Sequence, residues 1–236
     1  MGKVAAETTP GSLDGIEIFK GLSPAARQAL AGRCAWREYG PRQLIVGHEE
    51  ASRTVFFLVG GRVRVSVYSA AGKRVTYRDI EAGQMFGEFA AIDGEPRSAS
   101  VEATEPSLVA SMSPDLFWDV LRRHPEVTAS VLRRLTRQVR VLSARLYEFS
   151  TLNARHRLHL ELLRMTSGAL GGNGSAVIRN APTHEDLATR IGSQRETVSR
   201  EMGDLAAEGI LAQDRRTLTI KSVAALRRLV DEAMDA

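Results

Sequence analysis

Residues 183–209 read THEDLATRIGSQRETVSREMGDLAAEG. Thr183 can cap a helix, with Asp186 in the capping-box position three residues on, and Leu187, Ala188 and Ile191 recur at helical spacing as a buried side. Gly192-Ser193 then turns the chain. Ser193 with Glu196 repeats the S-x-x-E capping pattern and predicts a second helix, with Val198, Met202 and Leu205 inward, as far as Gly209. The segment is helix, tight turn, helix. At about 100° per residue, Glu196 and Arg200 fall opposite Val198 and Leu205, and Arg195 sits at the N-terminal tip.

That tip carries chemistry suited to base edges. An arginine fork matches the N7 and O6 acceptors of guanine, and a carboxylate accepts from the N4 amino group of cytosine. Arg195, Glu196 and Arg200 are therefore candidate base readers, and Glu196, which would repel phosphate, suits base reading better than general backbone binding. Downstream, Ile210-Leu211, a polar turn over 212–216 and Leu218 to Ile220 predict a hairpin with Arg215 and Arg216 at its tip, completing a winged helix-turn-helix. Bulk charge adds nothing: the net charge is +4, and from Thr151 onward 12 basic residues face 11 acidic ones. The DNA reading rests on where particular residues sit.

Upstream the texture changes. From about Gln43 to Met112, short runs alternate apolar and polar residues (Thr54 to Val59, Arg62 to Tyr68, Val75 to Ile80, Ser98 to Glu102, Leu108 to Met112), separated by glycine turns. Period-two runs of this kind predict an antiparallel sandwich or barrel, with a hairpin turn at 70–73. From Pro114 to Thr151 glycine disappears and the spacing becomes helical. Leu132, Leu135, Val139, Leu142, Leu146 and Phe149 step by 3 or 4 residues, a heptad seam flanked by arginines that predicts a paired helix and a twofold homodimer. Leu152 to Met165 predicts a further helix, ended by the glycine-rich loop 168–174.

The chain resembles the CRP/FNR family of bacterial transcription regulators, the cyclic-AMP receptor protein and fumarate-nitrate regulator family. The resemblance rests on the segment RETVSR at 195–200 and on FGEFAAIDGEPRSA at 86–99. It implies an α+β chain: an antiparallel β jelly-roll sensor barrel of cyclic-nucleotide-binding type over 1–113, a long dimerisation helix over 114–151, and a winged helix-turn-helix over 152–236. It also implies that Thr183 and Thr197 approach DNA phosphates, that the operator is palindromic with TGTGA-type half-sites, and that RNA polymerase is a candidate partner. The effector implied is a cyclic nucleotide, cAMP or cGMP, held by Gly87, Glu88, Arg97, Ser98 and Ala99, with its base against Leu142 and Ser143.

The segment 86–99 is chemically sensible for that ligand. A glycine permits close backbone approach, Arg97 can fork onto a phosphate, Ser98 adds a donor, and Glu88 can accept from a ribose hydroxyl. The receptor's pattern has two adjacent hydroxyl residues on the long helix where this chain has Leu142 and Ser143. One hydrogen bond to adenine is lost, worth about 0.5–1.5 kcal/mol, so cGMP and cAMP both remain open.

Other classes fit poorly. A barrel oxygenase needs two histidines and a carboxylate, and the strand region holds only His48; His124, His156, His159 and His184 lie in or beside helical stretches. No nucleophile–base pair stands out, so no enzyme and no metal are expected. The alternative is a regulator of the same fold that senses another small molecule, a haem-bound gas or no ligand; a haem sensor would draw its axial ligand from Cys34 or His48. Cys34 is the only cysteine, which excludes an internal disulfide and a protein-held iron–sulfur cluster. Residues 1–12 lack an apolar signal core, and no apolar run approaches a membrane span, so a cytoplasmic location is expected.

Overall fold

The computed structural model describes residues 11–68, 74–167, 171 and 174–234. The hairpin turn expected at 70–73 lies outside them, as do most of the 168–174 loop and the start of the chain. Contacts divide the protein into two compact units, Met1–Val139 and Arg140–Ala236.

In the first unit a 3-10 turn (Glu17–Phe19) and α1 (Pro24–Ala31) precede eight strands: β1 (Ala35–Tyr39), β2 (Leu44–Val46), β3 (Val55–Gly60), β4 (Arg62–Tyr68), β5 (Arg74–Glu81), β6 (Met85–Phe86), β7 (Ser100–Ala103) and β8 (Ser107–Met112). Helix α2 (Glu88–Asp93) lies between β6 and β7. Two four-stranded antiparallel sheets, ordered β1-β8-β3-β6 and β2-β7-β4-β5, form the jelly roll. β4 falls on the predicted residues. β1 precedes the predicted strand region, and the short β2 and helix α2 were not anticipated.

β3 explains why one run, VFFL, lacks alternation. Phe56 and Leu58 join Val63, Ile80, Phe86, Val101 and Val109 in one core cluster, while Val55 and Phe57 join Met85, Ala110 and Met112 in another with the helices. A strand covered on both faces reads as continuously apolar. Phe56 and Phe86 stack with ring centres 5.1 Å apart.

The helix predicted over 114–151 is two helices, α3 (Pro114–Arg123) and α4 (Pro125–Thr151). Pro125 offers no N–H and disfavours helical backbone before it; His124 accordingly sits at φ −127°, ψ 83°. The compact units share α4 rather than leaving it as a separate part, because Val127, Val131 and Leu135 pack into the first unit's core. Of the residues expected in the seam, Leu135 is partly buried against that core, whereas Leu132, Val139, Leu142 and Leu146 are 59–71% exposed.

The second unit continues from α4 into α5 (Ala154–Met165), β9 (Ala176–Arg179), α6 (His184–Arg190), α7 (Arg195–Ala207), β10 (Leu211–Asp214), β11 (Thr217–Ile220) and α8 (Val223–Met234). Its antiparallel sheet runs β10-β11-β9, so the predicted hairpin has a third strand. Leu158, Leu162, Leu187, Val198, Leu205, Leu218, Ile220 and Leu226 fill its core. Among the described residues, no helix is long and apolar enough to cross a membrane.

Candidate functional site

Two sites emerge, one in each unit. In the first, Gly87 sits at φ 77° between β6 and α2. A Cβ there would come within 2.7 Å of Arg97 Nη1 and 3.0 Å of the Thr54 carbonyl, so only glycine fits. Glu88 and Arg97 are each 3% exposed. Arg97 commits four of its five N–H donors: Nε and Nη2 donate to Ser52 Oγ at 3.1 and 3.0 Å, Nη2 to the Thr54 carbonyl at 2.8 Å, and Nη1 to the Gly87 carbonyl at 2.8 Å. Its guanidinium also lies 5.6 Å from the Phe56 ring centre. Burial pulls the Arg97 pKa down, and Glu50 and Glu88 oppose that shift.

Sequence reading missed Ser52. It lies 45 residues from Arg97, and nothing local announces the contact. An anion meeting Arg97 bidentately must therefore exchange with the Ser52 hydroxyl. Ser98 is exposed beside this cluster and Ala99 is buried. Leu142 and Ser143 lie on α4 in the second unit, both exposed. Among the described residues, no group of three or more His, Cys, Asp or Glu side chains is arranged to hold a metal ion. Burial pushes the Cys34 thiol up to about 11, which leaves it protonated at neutral pH and a poor thiolate ligand.

In the second unit, Thr183 forms the predicted capping box: its Oγ1 accepts from Asp186 N at 3.1 Å and donates to Asp186 Oδ2 at 2.9 Å. The capping box predicted for the next helix is absent. Gln194, not Ser193, is its N-cap and makes no side-chain cap bond, while Ser193 N donates to the Ala188 carbonyl. Gly192 at φ 60° makes the turn, where a Cβ would meet the Phe149 ring at 2.7 Å.

Along α7, Val198 and Leu205 are fully buried, and Arg195, Glu196 and Arg200 are exposed, as the helical phase requires. Thr197 is half-buried. The wing's turn is Arg215-Arg216 alone, since 212–214 belong to β10; Arg215 adopts φ 50°, uncommon for a residue with a side chain. Both arginines are exposed.

Two histidine contacts, unanticipated from sequence, lock this reading head. His184 Nδ1 meets Ser199 Oγ of α7 at 2.8 Å and its Nε2 meets Gln213 Oε1 of β10 at 3.1 Å. An Nε2–H tautomer donates to Gln213 and accepts from Ser199, so one ring ties α6, α7 and wing together. Behind α7, buried Glu201 accepts from Arg155 Nε at 2.9 Å and faces His159 Nε2 at 2.6 Å.

The chain matches the cyclic nucleotide-binding domain model over residues 36–124 and the Crp-like helix-turn-helix domain model over 156–229. It is 27% identical over 217 residues to the cyclic AMP receptor protein of Thermus thermophilus, covering 92% of this chain and 98% of that one. It is 23% identical over 212 residues to the CRP-like cAMP-activated global transcriptional regulator of Mycobacterium tuberculosis, covering 89% and 95%. The fold is similar to that of a CooA variant from Carboxydothermus hydrogenoformans, with TM-score 0.77, 20% identity and coverage of 91% and 94%. It is also similar to the c-di-GMP-responsive global regulator CLP of Xanthomonas campestris, with TM-score 0.73, 15% identity and coverage of 84% and 99%.

A jelly-roll cyclic nucleotide-binding domain joined to a winged helix-turn-helix defines a DNA-binding transcription regulator. The chain belongs to the CRP/FNR family.

Proposed function

We propose that this regulator is a homodimer controlled by a cyclic nucleotide, cAMP or cGMP. The observation that carries the proposal is the buried Glu88 and Arg97 around Gly87: two opposite charges withdrawn from water and built to meet a sugar hydroxyl and a phosphate. In this reading Gly87, Glu88, Arg97, Ser98 and Ala99 hold the sugar phosphate, and Leu142 and Ser143 are further ligand residues.

Arg195, Glu196 and Arg200 read base edges of a TGTGA-type half-site. Thr183, Thr197, Arg215 and Arg216 meet phosphates, Thr183 with a hydroxyl already committed to its helix cap. The exposed apolar residues Leu132, Val139, Leu142 and Leu146 form the seam with a second copy. Sensing and DNA binding are coupled by a population shift, which linkage makes reciprocal.

The test is fluorescence anisotropy with a palindromic operator, with and without each nucleotide, paired with calorimetry of nucleotide binding with and without operator. Expected is a tightening of operator binding by about 5- to 150-fold, matched by an equal tightening of nucleotide binding. Operator affinity indifferent to both nucleotides sinks the reading.

A further inference from the structure

Three arginines, not one, feel the charge of Glu88. On β5, Arg78 and Ile80 share a face by the two-residue repeat, and Ile80, fully buried, belongs to the barrel's inner cluster, while a register shift that leaves Tyr77 unpaired separates Arg78 from the buried Thr76. Arg78 therefore enters the same interior. Gln138 of α4, with its amide oxygen toward the guanidinium, accepts from Arg78 Nη1 at 2.6 Å and Nη2 at 2.8 Å. Arg134, one helical turn earlier, donates from Nη2 to the Met85 carbonyl at 2.6 Å, and its buried Nε has no partner among the described residues. Burial pulls both arginine pKa values down; they repel each other, and Glu88 opposes the shift in each.

Thr76 adds an independent observation. It is 2% exposed, and its Oγ1 finds no hydrogen-bond partner among the described residues. A buried hydroxyl without a partner is costly, and a ligand group is the usual means of satisfying it. Helix α2, strand β5, helix α4 and the segment before β7 thus gather one carboxylate, three cations and an orphan hydroxyl. A nucleotide phosphate on Arg97 accounts for one cation only.

The way Arg78 is held decides what it can take. Gln138 occupies the end-on pair of N–H groups and leaves the side-on edge, Nε–H beside an Nη–H, as a fixed fork. Such a fork fits two adjacent acceptors. Guanine offers O6 and N7; adenine offers N7 beside an amino donor that opposes the guanidinium. We propose that Arg78, locked by Gln138 and seconded by Thr76, is the specificity-determining residue for the effector's base, and that the effector is a guanine cyclic mononucleotide. This rests on the cyclic-nucleotide reading above.

The test is calorimetric titration of the full chain with cGMP, cAMP, cyclic IMP and cyclic di-GMP, repeated with Arg78→Lys and Arg78→Leu. The wild type should prefer cGMP over cAMP by about tenfold or more, with cyclic IMP, which keeps O6 and N7, within about threefold of cGMP. Arg78→Lys retains the charge without the fork and should collapse the cGMP-to-cAMP ratio toward one, as should Arg78→Leu. Equal binding, a cAMP preference in the wild type, or a preference unchanged in both variants overturns the assignment. Tighter binding of cyclic di-GMP than of cGMP would give Arg78 to a second phosphate and also overturn it. Failure of every nucleotide to bind would bring down the cyclic-nucleotide reading itself, an outcome distinct from equal binding of cGMP and cAMP.

Discussion

The arginines of the two units are treated in opposite ways. Arg97 is 3% exposed and makes four hydrogen bonds to its own protein, whereas Arg195 and Arg200 stand exposed at the tip of α7. A buried cation that already has acceptors is pre-organised, and its environment is part of the fold. An exposed one adds little to stability and keeps its donors for a partner. The first is therefore inseparable from the barrel, and the second can be exchanged without disturbing its domain.

The largest effect that tests this contrast is Arg97→Ala. Removing it strips Ser52, Thr54 and Gly87 of a charged donor and opens a space beside Phe56. We expect the first unit to lose about 2–4 kcal/mol of unfolding free energy, together with its nucleotide response, read by denaturant titration and calorimetry. Unaltered stability would break the contrast. Arg200→Ala should do the reverse. The unfolding midpoint should stay within about 0.5 kcal/mol of wild type, while operator affinity falls by about 1–3 kcal/mol. A loss of stability comparable to that of Arg97→Ala would show Arg200 to be structural.

The smallest effect concerns the exception in the second unit, the buried His159. Burial lowers its pKa, outweighing the hydrogen bond and charge of Glu201, with Arg155 and His156 also lowering it. Neutral, it donates Nε2–H to Glu201 and leaves a buried Nδ1 without a partner among the described residues. The unfolded chain then binds the extra proton first. Stability is full above the ordinary histidine value of 6.5 and is lost as pH falls from there toward the lower folded value. Thermal melts from about pH 7.5 to about 5.5 should show the second unit weakening, and His159→Leu should flatten that response. A melting point rising with acid would contradict it.

What sequence revealed and what it hid follow one physical line. Period-two alternation placed β4, and period 3.6 with a Thr183 cap placed the helix-turn-helix, because both signals reside in neighbouring residues. The hidden parts depend on distant ones. Ser52 meets Arg97 across 45 positions, Gln138 meets Arg78 across 60, and His184 meets Gln213 across 29. The capping pattern at Ser193 was a local signal that tertiary structure overrode, since that backbone N–H closes the turn onto Ala188. Pro125 was in plain view, and its effect on His124 could have split the long helix in advance. Arg78 alternated correctly with Ile80, but an arginine beside an inward-facing isoleucine reads as an outward charge until its partner is known.

The His184 bridge has a bearing on how such a regulator acquires new targets. Because α7 and the wing are clamped through Ser199 and Gln213, side chains on the outer face of α7 can be swapped while the angle of presentation stays the same. Retargeting then becomes a change of lettering on an unaltered stamp. Altering His184, by contrast, would change how the stamp is held and blur every letter at once.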